Sequence, residues 1–279
     1  MRRFMPLLAA AVIVLSTAAA QADLGDQLFK LLPDDGAAFD EFGASVAISG
    51  TTAVAGAPKD DDNGTWSGSA YLFDITTGTE IAKLLPNDGA QYVVFGHKVA
   101  ISGTTAIIGA YADDDKGIET GSAYLFDTTT GQQIAKLLPD GGAEDDYFGG
   151  SLSISGTTVI VGAHGDDDNG SSSGSAYIFD TTTGQQSAKL LPDDGAEHDL
   201  FGISVAISGA TAIVGASWDD DNGTESGSAY LFDTTTGRQI TKLLPNDGAE
   251  YDRFGTSVAI CGSTAIIGAH RDTDNGTDS

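Results

Sequence analysis

Aspartate triplets recur along the chain: Asp60-Asp61-Asp62, Asp113-Asp114-Asp115, Asp166-Asp167-Asp168 and Asp219-Asp220-Asp221, with Asp272-Thr273-Asp274 as a copy broken at its middle position. Adjacent carboxylates repel one another unless a cation sits among them. Alternate residues of an extended segment point to one side, so the first and third acids of each triplet form the natural pair. Asn63, Asn169 and Asn222 follow three of the triplets. Two carboxylates, an amide oxygen and loop carbonyls suit hard Ca²⁺, which takes roughly 6–8 oxygens. The candidate metal ligands are therefore Asp60, Asp62, Asn63, Asp113, Asp115, Asp166, Asp168, Asn169, Asp219, Asp221, Asn222, Asp272 and Asp274. Lys116 replaces the Asn in the second loop, so that site should be the weakest. The run misses the EF-hand spacing by one position. The bland alternative is a solvated acidic turn.

Other residue sets carry less chemistry. Gly170-Ser171-Ser172-Ser173-Gly174 matches the G-x-S-x-G nucleophile turn around Ser172, but the equivalent positions hold Trp66, Glu119 and Glu225, so the match is accidental. Asn63, Asn169, Asn222 and Asn275 sit in formal glycan-acceptor triplets, where a turn role explains them equally. His97, His164, His198 and His270 form no spaced cluster. Cys261 is the single cysteine, so no disulfide framework exists, and serines 49, 102, 155 and 208 occupy its place in the other copies. It is expected to be a packing variant. No coherent catalytic set emerges, and no enzyme activity is expected.

The triplets belong to a repeat. Phe-Gly recurs at 42–43, 95–96, 148–149, 201–202 and 254–255, always 53 residues apart. Lys-Leu-Leu-Pro keeps the same period, at 30–33, 83–86, 136–139, 189–192 and 242–245. Strand-like text at a fixed period near 50 means a solenoid or a propeller. Within one copy, 44–50 and 51–57 are apolar runs around a tight Ser-Gly-Thr-Thr turn. Residues 68–74 form a third run, and 79–86 a fourth that ends at proline. The apolar period is two, and glycine and β-branched residues are dense, so helices are excluded. Each copy reads as a four-stranded antiparallel meander whose inner strands are apolar on both faces, as in propeller blades. The expected fold is an all-β propeller-type array of about five blades, the last one incomplete. Phe42, Phe95, Phe148, Phe201 and Phe254 are expected to be buried.

Residues 42–58, beginning Phe-Gly and ending Gly-Ala-Pro, resemble the FG-GAP repeat of integrin α-subunit propellers and their bacterial relatives. The resemblance covers essentially all of 24–279. Only the first copy keeps the proline; Tyr111, His164, Ser217 and His270 replace it. Integrin-type repeats place a calcium loop between their first two strands, where this chain has only Ser-Gly-Thr-Thr. Those family ligands therefore do not carry over. The resemblance implies a non-enzymatic binding or adhesion module. Residues 121–138 also resemble a blade of quinone-dependent dehydrogenase propellers, but the docking Trp and the vicinal cysteines are missing.

Arg2-Arg3, an apolar run from Phe4 to Leu15 and Ala20-Gln21-Ala22 read as a secretory signal peptide over 1–22, cleaved before Asp23. The run is shorter than the ~20 residues of a spanning helix. The expectation is a secreted, periplasmic or surface protein with no membrane span after cleavage. Cleavage removes two arginines and no acid, which moves the formal charge from −27 to −29. That excludes a nucleic-acid partner, because phosphate binding needs a basic face. A meander alternates ends, so the triplet loops and the acidic linkers such as 192–202 should share one face. A protein or glycan ligand is expected there. A structural spacer with no small ligand is the alternative. The period places the next "GSAYLFD" directly after Ser279, so the expectation is a truncated natural sequence, against a ring closed by a three-stranded blade.

Overall fold

The computed structural model describes the backbone of residues 12–15 and residues 27–272; Asp274 and Asn275, like most of the proposed leader, lie outside them. All regular structure among the described residues is β-strand. The first blade is Val46–Ser49, Thr52–Ala57, Ser69–Asp74 and Thr79–Leu84, paired in that order. The second is Val99–Ser102, Thr105–Ala110, Ser122–Asp127 and Gln133–Leu137. The third is Ser151–Ser155, Thr158–Ala163, Ser175–Asp180 and Gln185–Leu190. The fourth is Ser204–Ser208, Thr211–Ala216, Ser228–Asp233 and Arg238–Leu243. Phe254–Cys261 and Thr264–Ala269 follow as a two-stranded sheet. Gln27–Leu31, the first copy of the fourth strand, pairs antiparallel with Val12–Leu15.

Consecutive first strands lie side by side, which makes them the inner strands of a propeller-like array. A serine at the end of each inner strand stitches it to the next. Ser49 Oγ accepts the Gly103 N–H at 3.0 Å, and Ser208 Oγ accepts that of Gly262 at 3.0 Å. Cys261 occupies this stitching position in the last copy and is exposed.

The second and third sheets bury both faces, one against each neighbour. Val54, Leu72 and Leu84 of the first blade pack against Phe95, Val99, Ile108, Tyr124 and Phe126 of the second. Ile107, Leu125 and Leu137 then pack against Phe148, Val161, Tyr177 and Phe179 of the third. Phe42, Phe95, Phe148 and Phe201 are buried, as expected, and each meets the Tyr and Phe of its own third strand edge-on, as Phe148 does Tyr177 and Phe179 at 5.5 and 5.7 Å. Phe254 is only half-buried.

The fixed Phe-Gly…Gly-Ala frame has a steric cause. A Cβ on Gly56 would lie 1.9 Å from the Gly96 carbonyl oxygen of the next blade. Gly96 itself has φ +90°, and its Cβ would lie 2.2 Å from the Ser69 oxygen. Two backbones meet there with no room for a side chain, and the second glycine also needs a conformation that L-residues avoid.

Candidate functional site: acidic loops closed by lysine

The triplet loops join second to third strands, and the acidic linkers join fourth to first. Both lie on one face and are paired to each other. Tyr92 N–H bonds Thr65 O at 2.7 Å, and Phe95 N–H bonds Ser67 O at 3.1 Å. This repeats blade by blade, as in His198 to Ser171 O at 2.8 Å. The neutral Ser-Gly-Thr-Thr and Thr-Thr-Gly turns occupy the opposite end of the meanders.

Within each triplet the three acids do different work. The middle one is a loop clamp: Asp61, Asp114, Asp167 and Asp220 accept the backbone N–H five residues on, at 2.7–2.8 Å. The first acid is buried: Asp60, Asp113, Asp166 and Asp219 are each under 5% exposed. Its Oδ1 accepts the N–H of the third acid, as in Asp168 to Asp166 at 3.0 Å. Its Oδ2 accepts the hydroxyl of a buried tyrosine, Tyr71, Tyr124, Tyr177 or Tyr230, at 2.8–2.9 Å.

The cation among these carboxylates is a lysine. Lys83, Lys136, Lys189 and Lys242, from the Lys-Leu-Leu-Pro motifs, each reach the first and third acids of their own blade's loop. Lys242 Nζ is 2.8 Å from Asp219 and 2.6 Å from Asp221. A linker acid completes three of the four sites: Asp35 at 2.7 Å from Lys83, Asp88 at 2.8 Å from Lys136 and Asp194 at 2.8 Å from Lys242. Gly141 holds the corresponding place near Lys189, which keeps two carboxylates. An ammonium has three N–H donors, and three acceptors at hydrogen-bond distance use them all. The ammonium also lies 5.1–5.3 Å over the tyrosine ring in every site.

The protonation pattern follows. Burial alone would lower the pKa of Lys242, but the hydrogen bonds to Asp194, Asp219 and Asp221 outweigh it and the net shift is upward. Burial alone would raise Asp166 and Asp219, and their lysines outweigh that too, so both carboxyls sit below the usual range. Burial, beside the Asp166 charge, pushes the Tyr177 hydroxyl up to about 12, so it stays a donor. A second buried acid lies beneath the linker. Asp146 and Asp199 accept the Ala143 and Ala196 N–H groups at 2.7 Å. Burial first, then the neighbouring Asp166 or Asp219 charge, raises both to about 6.

The paired acids thus come together as expected, and Asp60–Asp62, Asp113–Asp115, Asp166–Asp168 and Asp219–Asp221 each share one cation. The Asn63, Asn169 and Asn222 backbone N–H groups bond serine hydroxyls at 3.0–3.1 Å, and the Asn222 side-chain amide donates to the Pro245 carbonyl at 3.5 Å. For Ca²⁺ the donor chemistry suits the ion, but the ammonium already holds the oxygens it would take. Among the described residues no group of three His, Cys, Asp or Glu side chains is arranged to hold a metal. The lysines and tyrosines were the residues that sequence reasoning missed. Their signal was available: each Lys lies 23 residues after the first Asp in every full copy. His97 and His164, which show no common spacing, line one cleft.

Radial four-stranded sheets of one repeated unit, with loops of one kind gathered on one face, define a β-propeller-like repeat protein. The family model described as FG-GAP repeat matches residues 26–73, 79–126, 132–179, 185–232 and 238–279, and the chain belongs to that family. Each of the first four matched units runs from one blade's outer strand through the first three strands of the next. Comparison with curated proteins gives no match.

Proposed function

We propose that the protein is an exported, non-enzymatic binding or adhesion module whose acidic loop face receives a protein or glycan ligand. One observation carries this reading: the loops of that face are anchored at four places by buried Lys–Asp–Tyr clusters, while the outer carboxylates remain in water. Asp62, Asp115, Asp168 and Asp221 are 45–54% exposed on their side chains. Preorganised polar surface binds with less ordering cost than mobile loops. A spacer needs no such rigid, one-sided display. Family membership supports a repeat scaffold and is silent on the ligand, since function resides in sites grafted on folds.

Ca²⁺ is the second reading, and an excess of charge favours it. Three carboxylates face one ammonium in three of the four clusters, and the excess negative charge would attract a divalent ion. The ion would have to displace lysine or bind at the rim. The test of the main reading is saturable binding of the mature protein to panels of immobilised glycans and basic peptides. Binding that weakens in Asp62→Asn and Asp168→Asn variants supports it. An absence of saturable binding to either panel leaves the spacer.

A further inference from the structure

Several loci vary between the copies, and one of them lies where the inner strands begin. The residue after Phe-Gly is Ala44, His97, Gly150, Ile203 and Thr256, different in every copy. The residue before it is Glu41, Val94, Tyr147, Leu200 and Arg253, again all different. The residue after Gly-Ala is Pro58, Tyr111, His164, Ser217 and His270. These positions stand where inner strands begin and second strands end, on the acidic-loop face.

The variable side chains converge. His97, Tyr111, Tyr147, His164, Ile203 and Thr256 line one cleft of about 420 Å³, with Lys98 at its edge. The rings form a continuous wall. His97 meets Tyr111 edge-on at 4.8 Å, Tyr111 lies 6.3 Å from Tyr147, and Tyr147 stacks on His164 at 5.3 Å with planes 14° apart. A Cβ on Gly150 would lie 3.1 Å from the Tyr147 carbonyl oxygen and in ordinary contact with the His164 ring. Burial lowers the pKa of both imidazoles, helped at His97 by Lys98 and opposed by Glu41. A neutral imidazole offers one donor and one acceptor, while the Thr256 hydroxyl already donates to the Arg253 carbonyl at 2.8 Å and lies 3.0 Å from His270 Nδ1. The wall is therefore aromatic, with its rings set at angles to one another and two imidazoles among them. Lys98 disfavours a cationic ligand, and the acidic loops around the cleft disfavour an anionic one.

We propose that this cleft is a saccharide subsite that takes a neutral sugar ring, with its C–H face on a tyrosine ring of the wall and its hydroxyls on His97 and His164. This rests on the binding-module reading and names the ligand class within it. The test uses a panel of immobilised neutral oligosaccharides ending in glucose, galactose or mannose, with wild type, Tyr147→Ala, His164→Ala and the milder Tyr147→Phe. Unchanged melting temperatures show that the variants fold. Retention of a neutral sugar that weakens about tenfold or more in Tyr147→Ala and His164→Ala, and less in Tyr147→Phe, supports the subsite. Retention that survives both alanine variants overturns its location. Binding to basic peptides with no neutral sugar retained overturns the ligand class and leaves the binding module standing. Silence on both panels defeats both.

Discussion

Replacing Lys242 by Met should destabilise the protein through charge, and its size can be worked from the site. The thioether keeps a long apolar chain over the Tyr230 ring, so packing is largely retained. What is lost is an ammonium 2.8 Å from Asp194, 2.8 Å from Asp219 and 2.6 Å from Asp221. Removing one partner of a buried pair costs roughly 3–5 kcal/mol. Asp219 is buried, but the other two carboxylates are about half exposed and screened by water, so the lower end applies, about 3 kcal/mol. Lys189 serves two carboxylates, and Lys189→Met should cost less. Urea titration at neutral pH measures both through the transition midpoint. The loss at Lys242 should shrink as pH falls toward the carboxyl range, because protonation removes the stranded charge. Millimolar Ca²⁺ should restore part of it. A cost below about 1 kcal/mol, or one that does not change with pH, would refute the view that lysine is the cation these loops are built around.

Four further outcomes are expected. Phe148→Ala should cost roughly 3–5 kcal/mol by denaturant titration, because its fully buried ring bridges Tyr177 and Phe179 in the core between the second and third blades. Gly96→Ala should cost more than about 1 kcal/mol, since φ is +90° and the new Cβ would meet the Ser69 oxygen at 2.2 Å. Asp146 and Asp199 hold protons in the folded state up to about pH 6 that the unfolded chain releases earlier, so stability should fall as pH rises from the ordinary carboxyl range to about 6. The double variant Asp146→Asn, Asp199→Asn keeps both acceptors and should flatten that decline in thermal melts. At still lower pH, stability should drop as Asp166 and Asp219 protonate and release their lysines, because their folded pKa values lie below the unfolded ones.

Much of the fold was legible because its determinants are local and repeated. The apolar run within 68–74 and the Ser-Gly-Thr-Thr turn predict strands that the structure places at Ser69–Asp74 and on either side of that turn. Counting turns along a meander was enough to bring the triplets and linkers to one face. The roles of the three acids were less legible. Period-two reasoning pairs the first and third, correctly, but it is blind to a lysine that arrives from two strands away. The loop also folds back, so that Asp167, though exposed, accepts the Ser172 N–H. The cleft was invisible for another reason. His97 and His164 belong to different blades and different offsets within the repeat, and only the meeting of inner strands brings them together. The departures from the repeat were the available signal, and they have meaning only once those strands are known to converge.

The most direct test is the melting temperature of the protein in chelator and in millimolar Ca²⁺, for wild type and Asp219→Asn. If lysines close the acidic loops, the wild-type value is the same in both solutions, and Asp219→Asn melts lower in both by the same amount. A saturable rise of several degrees with Ca²⁺ in wild type, abolished by Asp219→Asn, would contradict it and make the loops metal sites.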